Sequence, residues 1–150
     1  VAGVAKYFKR IPKIIIVEPD RADCVMQSIK RKKMTKIKIL KESIMGGMSC
    51  NEMSLIPWQI LKKTSNHCIS ISDTKVAKTV AMLKDKKFCA KSIIGGECAT
   101  PGIISLIAAC NDKKIKKSVN LDKNSNVLLI GCEGNADMKL YKELLSKGRK

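Results

Sequence analysis

The sequence predicts an α/β chain with a mostly parallel sheet and helices on both faces. Two observations carry that expectation. Short apolar runs of strand character alternate with helix-period patterns along the whole chain, the order that builds parallel sheets. The runs at residues 14–17 and 127–130 are apolar without interruption, as strands buried on both faces are. No internal repeat or low-complexity linker breaks the alternation, so residues 1–150 read as a single α/β domain.

Residues 1–10 read as the end of a helix already under way, with no N-cap before it. The first strand, 14–17, closes at Glu18-Pro19. Asp20 or Asp23 can cap the helix that follows, through about Lys30. Residues 37–40 have the character of a short strand, and 42–53, with Gly46-Gly47, read as a loop. Pro57 opens a helix over 58–63. Residues 68–71 alternate as a strand. Ser72 or Asp73 then caps a helix of about twelve residues that aligns Val76, Val80 and Leu83 on one face. Ile93-Ile94 leads into a glycine loop, and Pro101 starts an apolar helix to about Cys110. Residues 127–130 form the last strand and 137–145 the last helix.

Thirty Lys and Arg against thirteen Asp and Glu give a net charge of +17. Such a field attracts nucleic acid or an acidic surface. The excess is almost all Lys, in runs such as Lys30-Arg-Lys-Lys33 and Lys113-Lys-Ile-Lys-Lys117. No aromatic side chain interleaves those runs, which favours a solvated surface over a nucleic-acid site. A non-enzymatic basic module binding nucleic acid or an acidic partner stays open as the reading from a different class. No apolar run reaches the roughly 18 residues of a membrane span, and no signal-peptide pattern is visible, so a cytoplasmic setting is expected. The seven cysteines are scattered with no CxxC pair, which argues against a disulfide framework and against a zinc or other metal site. His67, the single histidine, has no acid or nucleophile in a recognisable relation and reads as structural.

Two stretches carry the functional expectation. Ser92-Ile-Ile-Gly-Gly-Glu-Cys-Ala-Thr-Pro-Gly102 is a glycine pair with a lone acid opening an apolar helix. Asn126-Val-Leu-Leu-Ile-Gly-Cys-Glu-Gly-Asn-Ala-Asp137 is an apolar run ending in small residues. Two such ends aimed at one place build a pocket for a flat anionic cofactor in an open α/β sheet. The phosphate cradle itself is not visible, since the acid in Gly95-Gly-Glu-Cys98 would repel a phosphate.

Nearly the whole chain resembles the C-terminal part of the diaminopropionate ammonia-lyases, pyridoxal-phosphate enzymes of the tryptophan-synthase-β-like fold. Val4-Ala-Lys-Tyr-Phe8 resembles the helix after that family's phosphate loop. Ile16-Val-Glu-Pro-Asp-Arg-Ala-Asp-Cys24 is similar to its VVEPDxADC strand end. Ser43-Ile-Met-Gly-Gly-Met-Ser-Cys-Asn-Glu52 resembles TIMAGLxCGE, and Trp58-Gln-Ile-Leu61 the GWEIL that follows. Residues 95–102 resemble SGESGAVG, and 127–137 resemble VLLISTEGDTD. The order of these motifs is what makes the signal specific. Departures fall near the pocket. Gly131 and Cys132 stand where the family has Ser and Thr, Asn135 and Ala136 where it has Asp and Thr, Cys98 and Ala99 where it has Ser and Gly, and Asn51 where it has Gly.

The resemblance implies part of the large domain of a fold-type-II pyridoxal-phosphate enzyme, with pyridoxal 5'-phosphate as cofactor. The reaction it implies is α,β-elimination of 2,3-diaminopropionate to pyruvate and ammonia. The alternative within the same fold is a threonine or serine dehydratase. The lysine that carries the cofactor and the phosphate loop are expected upstream of Val1. The chain alone would then be incompetent without an N-terminal half, and the intact enzyme is expected to be a homodimer acting on a small amino acid. The implied cofactor-side residues are Gly47, Gly96, Glu97, Gly131 and Cys132, with Cys50 on the substrate side. Each has a second reading. Gly47 and Gly96 also suit plain turns. Glu97 also suits a first-turn acid facing water. Gly131 and Cys132 also suit a strand-end turn with a buried thiol.

Overall fold

The computed structural model describes residues 12–150. The motif at Val4 to Phe8 and the expected opening helix lie outside the described residues. The chain divides into two compact units, Val1–Ser43 with Gly47–Ile71, and Ile44–Gly46 with Ser72–Lys150.

The first unit is built on two parallel strands, β1 (Ile14–Pro19) and β2 (Ser65–Ile71), which are the only strands among the described residues. Between them lie helices α1 (Cys24–Lys30) and α2 (Leu55–Thr64), as a parallel pair requires a crossover. Register is shifted between Ile14 and Ile15, which face Ser65 and His67. The skipped Asn66 uses its Oδ1 to accept the Ile14 N–H at 2.8 Å, so the Ile14 amide stays paired at the irregularity. His67 sits within β2 and is half-buried. Ile14, Ile16 and Leu61 form the core, with Val25, Ile29, Ile60 and Cys68 packed against it.

Neither Asp20 nor Asp23 caps α1. Asp23 stands at the cap position, but its carboxylate accepts from Gln27 Nε2 at 2.7 Å. The first-turn amides go instead to Glu18, whose two carboxylate oxygens accept Val25 N–H at 2.9 Å and Met26 N–H at 2.8 Å. Glu18 is buried, and burial raises its carboxyl pKa while those two amides pull it back. It organises the β1–α1 turn. The expected strand at 37–40 does not form; Ile37 N–H donates to Asn51 O, and Leu40 is left in solvent.

The second unit is helical. A 3₁₀ turn, Asp73–Lys75, leads into α3 (Val76–Lys84), with Ser72 Oγ accepting the Thr74 N–H. Val76, Val80 and Leu83 are buried on one face, as the periodicity predicts. Next come α4 (Pro101–Asn111), α5 (Lys113–Ser118) and α6 (Met138–Gly148), the last capped by Asp137 Oδ1 on the amides of Lys139 and Leu140. Helix α6 packs on α3 through Leu144 and Tyr141, and Arg149 pairs with Asp85 through two hydrogen bonds. The expected strand at 127–130 is a correction. The run forms no ladder among the described residues, and its four apolar side chains are 38–67% exposed. A strand exists only through a hydrogen-bonded neighbour, and none of the described residues supplies one.

The fold class is α/β with a parallel sheet. Among the described residues no helix is long and apolar enough to cross a membrane.

Candidate cofactor site

In the second unit, the glycine turn and the end of the last apolar run meet. Gly96 precedes a 3₁₀ turn, Glu97–Ala99, which runs into α4 through Thr100. Gly96 N–H donates to the main-chain oxygen of Glu133 at 3.1 Å, and Cys98 N–H donates to Glu133 Oε2 at 2.7 Å. A Cβ on Gly96 would lie 2.3 Å from the Gly134 oxygen, closer than atoms can come. Glycine is required there by the neighbouring main chain. A Cβ on Gly131 would come 3.2 Å from that of Ala99.

Glu97 is partly buried. Burial raises its carboxyl pKa first of all; its own main-chain N–H opposes this, and the charges of Glu133 and Asp137 raise it further. One carboxylate oxygen each of Glu97 and Glu133 lies with Cys98 Sγ in a group no more than 4.8 Å across. Gly131 and Cys132 are both exposed. The second reading of Cys132, a buried thiol in a strand-end turn, is not met, since the residue is exposed.

Gly47 and Cys50 belong to the first unit and are likewise exposed. Gly47 lies in the 3₁₀ turn Gly46–Met48. Cys50 lines an open hollow of about 980 Å³ with Lys36, Glu42, Ser49 and Glu52. Across its rim Lys36 Nζ and Glu52 Oε2 stand 3.9 Å apart. By contrast Cys24 and Cys68 are withdrawn from solvent, and burial, with the charge of Glu18 added, pushes both thiols up to about 11. They are protonated packing groups, and all seven cysteines are unbridged.

Sequence reasoning missed Glu133, which supplies both acceptors that tie the two segments together. A signal was available. The amides of a short turn opened by glycine have no side-chain cap of their own, and an acid flanked by Cys132 and Gly134 is free to approach them.

Residues 1–133 match the sequence profile of the family described as pyridoxal-phosphate dependent enzyme. The chain is 30% identical over 139 residues to diaminopropionate ammonia-lyase of Escherichia coli K12, an alignment covering 90% of this chain and 35% of that protein. It superposes on the crystal structure of the Escherichia coli enzyme in complex with D-serine with a TM-score of 0.80 and 30% identity, over 91% of this chain and 34% of that one. Serine racemase from Dictyostelium discoideum shares the fold, with a TM-score of 0.67 at 16% identity over 91% of this chain and 40% of that one. The chain spans about a third of the length of the curated relatives it matches.

Proposed function

Because the chain belongs to the family of pyridoxal-phosphate dependent enzymes, we propose that it is the C-terminal part of an ammonia-lyase. The reaction is α,β-elimination of 2,3-diaminopropionate to pyruvate and ammonia. The observation that carries the reading is the meeting of the Glu97 turn with the Gly131–Cys132 segment, each tied to the other through Glu133. The likeness to the two Escherichia coli lyase comparisons supports the choice of substrate.

The donor set suits the ring of pyridoxal 5'-phosphate and not its phosphate. Glu97, Glu133 and Asp137 crowd one place with negative charge, which would repel a phosphate. The phosphate cradle and the lysine that carries the cofactor are assigned to a further portion of polypeptide, in keeping with a chain that spans a third of its relatives. Residues 1–150 are then one partial α/β domain, incompetent alone. When bound, the cofactor supplies an electron sink for charge developing at the substrate Cα.

The chain's own residues have these parts. Gly131 and Cys132 wall the ring-nitrogen side, where Cys132 Sγ is a weak, uncharged partner. A neutral partner leaves the nitrogen less protonated than a carboxylate would, which favours departure of a β substituent. Glu97, whose carboxyl pKa is raised by burial and by the neighbouring acids Glu133 and Asp137, presents that carboxyl to the ring. Gly96 brings bare main chain to the site. The unbridged thiols support a reducing, cytoplasmic setting. A homodimer is the assembly proposed for the intact enzyme.

The test is a chimera in which this chain replaces the matching third of the Escherichia coli lyase. Supplied with pyridoxal phosphate and 2,3-diaminopropionate, it should release pyruvate. A chimera that folds and takes up the cofactor, yet forms pyruvate from serine or 2-oxobutyrate from threonine and no pyruvate from 2,3-diaminopropionate, would replace this reading with the dehydratase.

A further inference from the structure

Glu133 holds both ends of the turn that carries Glu97. Its main-chain oxygen accepts Gly96 N–H, and its Oε2 accepts Cys98 N–H at 2.7 Å. Gly96 and Cys98 flank Glu97 in sequence, so a single distant residue fixes the main chain on either side of it. Gly96, at the cap position, has no side chain with which to do so. The same arrangement brings a Glu133 carboxylate oxygen within 4.8 Å of one on Glu97. The charged groups that bear on Glu97 are Glu133 and Asp137, both acids, in a chain where cations outnumber acids thirty to thirteen. A neighbouring carboxylate disfavours ionisation of a second.

We propose that Glu133 is a positioning residue for Glu97: it locks the backbone of the Glu97 turn and holds a negative charge against the Glu97 carboxyl, which sets the form in which Glu97 meets the ring. The inference rests on the cofactor-side reading of Glu97 and adds how that side chain is held and protonated. Glu133 acts through Glu97 and the turn, and touches no reacting atom in this account.

The experiment compares E133Q and E133A in the full 150-residue chain without cofactor. It follows the Glu97 carboxyl by carbon-13 titration and the Cys98 amide by hydrogen exchange. Glutamine keeps an oxygen that accepts the Cys98 N–H and removes the charge. In E133Q the Glu97 midpoint should therefore fall toward that of an ordinary glutamate, with Cys98 exchange little changed. In E133A the midpoint should fall likewise, and Cys98 should exchange roughly tenfold faster or more. An unmoved Glu97 midpoint in both variants, or equal Cys98 exchange in E133A and the parent, overturns the proposal. Should E133A fail to fold, the E133Q titration decides alone. None of these readouts involves cofactor, so an error in the ring-side reading would leave them unchanged and would surface only in ring binding.

Discussion

The methyl group of Ala99 fills the space beside Gly131, where an added Cβ would lie 3.2 Å from it. The same methyl lies 3.1 Å from where a Cβ on Gly95 would be. The motif that this chain resembles has serine at both flanking places and glycine in the middle, so bulk has been exchanged rather than lost.

That exchange makes G131S and A99G a coupled pair. G131S alone should destabilise the second unit by about 1–3 kcal/mol, because extra atoms meet a filled space. G131S combined with A99G should recover most of that loss. Urea unfolding of the two singles and the double gives the coupling term, expected to exceed about 0.5 kcal/mol in magnitude. Strict additivity would mean the contact carries no strain.

Gly148, near the end of α6, lies against the main chain of α3. A Cβ there would come 2.1 Å from the Ala77 oxygen and 2.9 Å from the Ala81 Cβ. Helix propensity alone favours alanine over glycine by about 1 kcal/mol. Overpacking against main chain costs about 1–3 kcal/mol and should win. G148A is expected to lower the denaturation midpoint despite the better helix former, and a raised midpoint would show that the two helices separate at little cost.

Glu18 gives the first unit a pH dependence with a definite sign. Its folded pKa lies above the ordinary value near 4.5, burial being the main cause. A raised acid stabilises the fold fully below its unfolded pKa, and that contribution is lost as pH rises through the folded value. The stability difference between E18Q and the parent should therefore shift in favour of E18Q as pH rises from 4 to 7. Parallel stability profiles for the two proteins over that range would contradict the burial argument.

The run at 127–130 exposes apolar side chains that no described strand covers, Leu128 being 67% exposed. Such a run is a template for association. L128K should reduce self-association in sedimentation experiments while changing unfolding free energy by no more than about 0.5 kcal/mol, as at other exposed places. Unchanged association would locate the sticky surface elsewhere.

What was legible in the sequence was whatever depended on local periodicity. The β-branched run of β1, the Val76–Val80–Leu83 face of α3, Pro101 at the head of α4 and Asp137 at the head of α6 all declared themselves. Features fixed by distant partners did not. Residues 127–130 have strand composition and no partner, and Glu18 displaced Asp23 as the acceptor for the α1 amides because it was already buried beside them. Helix ends were also concealed. Lys32 and Lys86 follow α1 and α3 in the left-handed region, at φ 56° and 60°, where glycine is the usual signal. At the site, the meeting of the two segments followed from motif order, whereas the Glu133 clamp required coordinates.

In the proposed enzyme these two segments together wall a cofactor ring. Titrating the nitrogen-15-labelled chain with pyridoxine, which keeps the ring and lacks the aldehyde that would react with lysines, tests it most directly. Amide shifts should concentrate in both 95–99 and 131–134 and saturate together. Shifts confined to other residues, or to only one of the two segments, would contradict it.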